Sequence, residues 1–387
     1  MTQGTNTTAL GDIVDLVMGQ APSSKDTNFE GRGTPFVKVG EFGPIRPVIH
    51  EWTTNPLRMA RRTDVLLCVV GATCGKINLG EECAIGRSVA AIRPHPTKLD
   101  QFYLYYFMMT LVERLRSGSV GAAQTVISKE MVETVQIPFP PLAEQQRIVG
   151  LLDEAFEGIA TAKANAEKNL QNARALFESH LQSVFTQRGP GWVDSTIGAE
   201  IKFIDYRGKT PVKTASGVRL ITAKNVKMGY LQESPMEFIA ASNYKGWMTR
   251  GIPQKGDVLF TTEAPLANVA QLDTDEKVAF AQRIIIMQPN AAKLDSTFLK
   301  YLLLSQPVQQ RIRTKGTGAT VQGIKASLLK LIEISFPKSL TAQEEIVSKL
   351  DDLREETQRL ARLYERKLAA LDALKKSLLH QAFTGAL

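Results

Sequence analysis

Apolar positions along this 387-residue chain follow one periodicity in two long segments and another elsewhere. From Pro141 and again from Ser339, apolar residues recur three and four positions apart for roughly 45 residues, which predicts two amphipathic helices of about 65 Å each. The remaining apolar runs are short, rich in β-forming residues and bounded by Gly, Pro and Asn, which predicts strands. The expected order is therefore lobe, helix, lobe, helix, with boundaries at 1–140, 141–188, 189–338 and 339–387.

The two helical segments have recognisable ends. Pro141 suits a first helical turn, and "RGPG" after Gln187 is a stop signal. Thr341 and Glu344 have the spacing of a capping box at the start of the second helix. The apolar stripes have coiled-coil spacing. The positions expected on the helix seam or on a partner-docking face are Leu142, Gln145, Ile148, Val149, Leu152, Phe156, Ile159, Leu170, Ile346, Leu350, Leu353, Leu368 and Leu371.

The chain contains a tandem repeat. A constant shift of 198 positions superposes Gln145 on Gln343 and Leu152 on Leu350, and it needs no gap across the whole helical segment. The preceding regions also match, with small insertions, as in "TDVLLCVVGATCGKI" and "GDVLFTTEAPLANVA". Two structurally equivalent halves follow from such a match. The helices most simply pair with each other, and a hairpin whose only role is spacing is the plainer alternative.

Each lobe is expected to be α+β. Runs such as "DVLLCVV", "VAAIRP", "DVLFTT" and "RIIIMQP" predict strands, which mix with few helices. One amphipathic helix is predicted in each lobe, in "LDQFYLYYFMMTLVERLRS" and in "LDSTFLKYLLLSQPVQQRIRT".

The net charge of +8 is unevenly distributed and suggests a polyanionic partner. The first lobe has 14 Lys and Arg against 13 Asp and Glu, whereas the second has 20 against 12, so the excess lies in the second lobe. Basic residues beside glycine can approach a phosphate backbone, although a solvated basic face is the plainer interpretation. The candidate DNA contacts are Arg58, Arg61, Arg62, Arg114, Arg116, Arg207, Lys209, Lys224, Asn225, Arg311, Arg313 and Lys315.

Motifs for catalysis are not found in the sequence. It has no phosphate-binding G-x-x-x-x-G-K-[ST] loop, no Gly-rich S-adenosylmethionine loop and no H-E-x-x-H or G-x-S-x-G motif. Three cysteines and four scattered histidines match no zinc pattern, so no metal site is expected. No run of about 18 apolar residues suggests a membrane span. The cysteines are expected to be reduced thiols in a cytoplasmic protein, and the chain is expected to bind rather than catalyse.

The order of lobes and helices, with "IPFPPLAEQQRIVGLLDEAF" opening the first helix and "HQAFTGAL" ending the second, resembles the specificity subunit of type I DNA restriction–modification systems. The resemblance covers essentially the whole chain. "DYRGKTP" and "VGATCGKI" also resemble features of that family's target-recognition domains. The second copy departs from the pattern, because "KSLTAQEEIV" lacks the double proline and "EAPLANVA" lacks the Gly-x-x-Gly-Lys sequence.

The resemblance implies a function for each part. Each lobe would read one half of a split, asymmetric site in double-stranded DNA. The helices would form an antiparallel coiled coil that separates the lobes and docks two methyltransferase subunits. S-adenosylmethionine, ATP and Mg²⁺ would belong to the methyltransferase and restriction subunits, with none bound by this chain. The alternatives are a non-catalytic coiled-coil adaptor with two protein-binding lobes and a nuclease, for which clustered acidic metal ligands are not found.

Overall fold

The computed structural model describes residues 6–117, 126–206, 210–318 and 322–387. The chain divides into two compact units, and each unit contains one lobe together with parts of both long helices. The first unit comprises residues 1–167 and 365–387, and the second comprises residues 168–364.

The first lobe contains short strands in three sheets. The strands are β1 (Thr7–Ala9), β2 (Val14–Met18), β3 (Thr27–Asn28), β4 (Thr34–Val37), β5 (Trp52–Thr53), β6 (Met59–Ala60), β7 (Val65–Cys68), β8 (Ile77–Leu79), β9 (Cys83–Ile85), β10 (Val89–Pro94) and β11 (Gln136–Pro138). The sheet orders are β1-β11, β2-β10-β7-β8 and β3-β5-β4-β9-β6. Only the β4–β9 pair of the described strands in this lobe is parallel. Helices α1 (Gln101–Ser117) and α2 (Lys129–Glu133) complete the lobe, which leads into the long helix α3 (Leu142–Gln187).

The second lobe repeats this plan. Its strands are β12 (Trp192–Thr196), β13 (Ile201–Asp205), β14 (Lys213–Thr214), β15 (Val218–Ile221), β16 (Glu237–Ile239), β17 (Val258–Thr261), β18 (Val269–Gln271), β19 (Val278–Phe280), β20 (Ile284–Pro289) and β21 (Glu333–Pro337). The sheet orders β12-β21, β13-β20-β17-β18 and β14-β16-β15-β19 place equivalent strands in equivalent positions, with β15–β19 parallel. The α+β prediction for the lobes is confirmed.

The helices of the second lobe are short. They are α4 (Ile197–Glu200), α5 (Tyr244–Trp247), α6 (Ser296–Leu304), α7 (Gln306–Lys315) and α8 (Ala326–Lys330). The single helix predicted from "LDSTFLKYLLLSQPVQQRIRT" is wrong, because it is broken into α6 and α7 at Ser305. Ser305 has extended backbone angles, and Pro307 starts the new helix, where its missing N–H costs nothing.

The second long helix is α9 (Leu340–Ala382). The hydroxyl of Ser339 accepts the N–H of Ala342 at 3.4 Å, so the predicted cap at Thr341 is wrong and Thr341 lies inside the helix. At 46 and 43 residues, α3 and α9 are about 69 and 65 Å long at the usual rise per residue.

The long helices pair antiparallel, as expected. In the first unit, Arg147 in the first turns of α3 donates to the carbonyl of Leu387, which follows α9, and Lys163 Nζ lies 2.7 Å from the Asp372 carboxylate. In the second unit, Leu181 near the end of α3 shares a hydrophobic core with Leu350 near the start of α9. Four buried side chains of α3 follow one another at intervals of seven residues, at Leu152, Ile159, Ala166 and Ala173, which is heptad spacing.

A buried glutamine fastens each lobe to a long helix. Gln145, fully buried, accepts the N–H of Asp100 at 2.9 Å and donates to the carbonyls of Lys98 and Pro140, both at 2.9 Å. Because Asp100 caps the start of α1 through its side chain, the amide ties α1 to α3. Gln145 therefore lies at a lobe–helix junction, although its spacing had placed it on the helix seam or docking face.

The same junction occurs in the second unit. Gln343 accepts the N–H of Asp295 at 2.8 Å and donates to the carbonyls of Lys293 and Pro337 at 2.8 and 2.7 Å. Asp295 in turn caps α6 by accepting the N–H of Phe298 at 2.7 Å. The repeat seen in the sequence thus extends to individual hydrogen bonds.

A tyrosine–aspartate hydrogen bond strengthens each junction. Tyr106 on α1 donates to Asp153 on α3, and Tyr301 on α6 donates to Asp351 on α9. Burial is the main cause that raises the pKa of both tyrosines, and the neighbouring carboxylate raises it further. Each hydroxyl therefore remains a donor at neutral pH.

Candidate nucleic-acid interface

The first basic cluster flanks the edge strand β6, with Arg58 immediately before it and Arg61 and Arg62 in the turn that leads to β7. Arg58, Arg61 and Arg62 are all exposed. The Arg62 guanidinium pairs with Glu81 at 3.1 Å, so part of its charge is locally compensated. Arg61 and Arg58 are the more available cations of this cluster.

The second basic pair lies in the last turn of α1. Arg114 is exposed, whereas Arg116 donates from Nε to the carbonyl of Cys74 at 2.5 Å. This bond holds the loop of "TCGK" against the end of α1. Arg116 therefore has a structural role that its neighbour Arg114 does not share.

The candidates of the second lobe differ in exposure. Arg207 and Lys209 lie outside the described residues. Lys224 is exposed, but Asn225 is only 1% exposed. The Asn225 amide accepts from Thr222 and donates to the carbonyls of Gln232 and Pro235 at 3.0 and 2.9 Å. Asn225 therefore organises its own loop and has no exposed surface to offer a base.

Helix α7 divides its cations between two faces. Arg311 and Lys315, one turn apart, line a shallow recess of about 380 Å³. Arg313 points the other way and lines a separate cleft of about 800 Å³ next to α3 and α9. Arg311 also donates to the carbonyl of Glu333 at 2.8 Å, which fixes its guanidinium at the rim of the recess. The basic run of the sequence is thus not one continuous patch.

The apolar helix candidates divide between lobe packing and helix pairing. Ile148, Val149, Leu152 and Phe156 pack into the core of the first lobe, with the end of α9 completing it. Ile346 and Leu350 do the same in the second unit. The remaining positions are buried or half-buried along the helices, namely Leu142, Ile159, Leu170, Leu353, Leu368 and Leu371.

The junction of the second unit carries a buried lysine where the first has a tyrosine. Lys300 is 6% exposed, stands over the Tyr301 ring at 4.2 Å and lies 4.0 Å from Asp351. Burial lowers the pKa of Lys300 to about 8, against the opposing effect of Asp351, while Arg354 lowers it further. The equivalent residue of the first lobe is Tyr105, which is also buried.

Sequence reasoning missed the tyrosine–aspartate pairs. Asp153 and Asp351 coincide under the 198-position shift, which marked them as equivalent, but the partner tyrosines lie about 50 residues away in the lobes. In the parts of the chain that the structure describes, no group of His, Cys, Asp and Glu is arranged to hold a metal ion. Among those same residues, no helix is long and apolar enough to span a membrane.

Comparison with known proteins agrees with this architecture. The family model "Type I restriction modification DNA specificity domain" matches residues 3–171 and 208–365. The type I restriction enzyme MjaVIII specificity subunit of Methanocaldococcus jannaschii is 22% identical over 97% of this chain and 91% of that protein. A shorter match to the MjaX specificity subunit of the same organism is 32% identical and covers 41% of this chain and 37% of that protein.

The fold has also been observed in a solved structure. A chain from a study of complex assembly and conformational transition of the type I restriction–modification system superposes with a TM-score of 0.81. The two share 18% identity, and the superposition covers 99% of this chain and 98% of the other.

The protein is an internal duplication, in which two α+β lobes are attached in the same way to an antiparallel pair of helices. The chain belongs to the family of type I restriction–modification DNA specificity subunits. The family inferred from the sequence is therefore confirmed, and with it the expectation of a specificity subunit rather than a catalyst.

The buried lysine leads to a pH-dependent prediction. Because the pKa of Lys300 is lowered in the folded protein, the unfolded chain binds more protons between about pH 8 and the ordinary lysine pKa. Below pH 8 the cost of burying the ammonium is fully present, and it disappears as the pH rises through that window. We expect Lys300→Met to raise the free energy of unfolding at pH 7 by on the order of 2 kcal/mol, with most of that gain lost by pH 10.

Urea unfolding of the variant and the wild type at both pH values measures this difference. The exposed Lys349 supplies the control, because Lys349→Met should leave the free energy unchanged at either pH. Equal stability of the wild type and Lys300→Met at pH 7 would contradict the prediction.

Proposed function

We propose that this chain is the DNA-reading subunit of a type I restriction–modification complex, in which each lobe binds one half of a bipartite, asymmetric site. The paired helices dock two methyltransferase subunits, and a restriction subunit completes the assembly. S-adenosylmethionine, ATP and Mg²⁺ act in those partner subunits, whose chemistry takes place in the cytoplasm.

The observation that carries the proposal is the repeated junction. Gln145 and Gln343 make the same three hydrogen bonds, and all three go to backbone atoms of the lobe and of the segment that enters the helix. A side chain that makes hydrogen bonds only to backbone atoms does not require particular side chains in the lobe. Two lobes can therefore diverge to bind different DNA sequences while keeping the same attachment to the helices.

The lobes have diverged at an equivalent buried polar position. In the first lobe, buried Asp64 forms an ion pair with Arg93 at 2.9 Å. In the second lobe, the equivalent Asp257 accepts a hydrogen bond from neutral Gln288 at 2.8 Å, and burial raises its pKa. This buried difference shows that the two lobes are not copies of one sequence. Their different net charges support two readers of unlike half-sites.

Exchange of one lobe tests the proposal. Residues 189–338 would be replaced with the equivalent lobe of a relative, keeping Gln343 and Asp351 on α9 so that the junction can re-form. We expect genome-wide methylation mapping, in cells that also make the methyltransferase subunit, to show one half-site changed and the other unchanged. The reciprocal exchange of residues 1–140 is the matched control and should change the other half.

Two outcomes would contradict the proposal. A change in both half-sites would show that the lobes do not read independently. DNA binding by the assembled complex that is absent or insensitive to salt would instead favour a coiled-coil adaptor with protein-binding lobes.

The two faces of α7 lead to a prediction about affinity. We expect Arg311→Ala with Lys315→Ala to weaken specific and non-specific DNA binding alike, because both side chains line one recess. The slope of log K against log salt should flatten by about two units, since each phosphate contact contributes roughly 0.9. Arg313→Ala should leave the slope unchanged, because Arg313 lines the cleft beside the long helices.

A salt titration of DNA affinity for the assembled complex makes this comparison. A slope altered by Arg313→Ala, but not by the paired substitution, would place the phosphate contacts on the opposite face of α7.

A further inference from the structure

An equivalent buried carboxylate has a different partner in each lobe. Asp64 comes directly before β7 and Asp257 directly before β17, and each accepts the backbone N–H of the residue three positions earlier at 2.8 Å. The strand registers place Arg93 beside Asp64 and Gln288 beside Asp257. The two positions therefore share one backbone arrangement and differ in the side chain that meets the carboxylate.

In the first lobe, a guanidinium bonds both oxygens of the carboxylate. Arg93 donates from Nε to Oδ1 and from Nη2 to Oδ2 of Asp64, both at 2.9 Å, and Asp64 is fully buried. A two-point contact of this kind offsets much of the cost of burying a carboxylate. In the second lobe, Gln288 donates one hydrogen bond to Oδ2 of Asp257 at 2.8 Å, and Oδ1 accepts none from any residue that the structure describes.

Asp257 forms part of the wall of a large, open cavity. It is 8% exposed, and the cavity has a volume of about 980 Å³ beside β13 and β20 and against the starts of α6 and α9. Every residue that lines this cavity belongs to the second unit. Burial raises the pKa of Asp257, because the hydrogen bonds that the carboxylate accepts do not offset its loss of water. We call this space the Asp257 cavity.

The charges around the Asp257 cavity favour a positively charged ligand. Besides Asp257, the charged side chains that line it are those of Glu200, Asp295, Glu344, Lys202 and Lys255. Lys255 and Glu200 are each paired with a residue outside the lining, at 3.0 and 3.4 Å. Lys202 is exposed and forms no ion pair with Asp257 in the part of the chain that the structure describes. Three carboxylates are therefore opposed by one lysine, and no described side chain takes the role that Arg93 has in the first lobe.

We infer that the Asp257 cavity binds an organic cation with a guanidinium head, the group that Arg93 supplies to Asp64 in the other lobe. The head donates to Oδ1 of Asp257, and the carbonyl oxygen of Gln288, which also lines the cavity, offers a second acceptor. A volume of this size admits a ligand larger than the head alone. The site is independent of how the lobes read DNA.

Saturation-transfer NMR on the methyl signal of methylguanidinium, added to the full-length protein, tests the site. We expect saturable binding, because the planar head presents N–H donors to a buried carboxylate. Tetramethylammonium is the matched control probe, since it carries the same charge and a methyl signal but has no N–H group. It should show no saturable binding at the same concentrations and ionic strength.

Two substitutions act on the site in different ways. Gln288→Arg gives Asp257 a guanidinium from the chain itself, and Asp257→Asn removes the charge while keeping the shape. We expect each variant to bind methylguanidinium at least about tenfold more weakly than the wild type. Asp273 is exposed and lies outside the cavity lining, so Asp273→Asn should leave binding unchanged. Cooperative thermal unfolding checks that each variant is folded, and Gln288→Arg keeps the test decisive if Asp257→Asn does not fold.

Two further probes separate the sources of the guanidinium. Agmatine represents a free small molecule, and N-acetyl-arginine N-methylamide represents an arginine side chain of another polypeptide. Tighter binding of either one identifies the source and upholds the site. Absence of saturable methylguanidinium binding to the wild type, equal binding of tetramethylammonium, or unchanged binding to folded Gln288→Arg would overturn the inference.

Discussion

The structure depends on a buried amide that each long helix inserts into the lobe preceding it. Gln145 and Gln343 are fully buried, and each satisfies one backbone N–H and two backbone carbonyls. A buried backbone group without a hydrogen-bond partner destabilises the folded protein. Removal of the amide would leave three such groups unpaired. The start of the lobe helix, the strand leading into the long helix and the long helix itself are thereby held in one arrangement.

This constraint explains how a duplicated chain can be uniform in its framework and variable in its lobes. Tyr106 and Tyr301 reinforce the amide by bonding aspartates on the long helices, and aromatic rings fill the space beside them. Around this shared framework the side chains differ, as with Tyr105 and Lys300. A protein that reads two unlike half-sites needs this separation between a fixed attachment and a variable reading surface.

The sequence predicts the framework better than the surface. Apolar periodicity located both long helices to within a residue or two at most ends, because burial of one helical face leaves a 3.6-residue signal. The 198-position shift marked Gln145 as equivalent to Gln343, but it did not identify their hydrogen-bond partners. Two of the three partners of each glutamine are backbone atoms 45 to 50 residues away. Arg116 and Asn225 were predicted as DNA contacts because the sequence does not show that tertiary hydrogen bonds occupy their side chains.

The importance of the buried amide can be measured by comparing the free energy of unfolding of Gln145→Glu with that of Gln146→Glu. Gln145→Glu keeps the size and the acceptor but replaces the donor with an oxygen facing two carbonyls, whereas Gln146 is exposed. We expect the free energy of unfolding to fall by about 3 kcal/mol or more for Gln145→Glu and to change by no more than about 0.5 kcal/mol for Gln146→Glu. Equal stability of the two variants in urea would contradict this expectation.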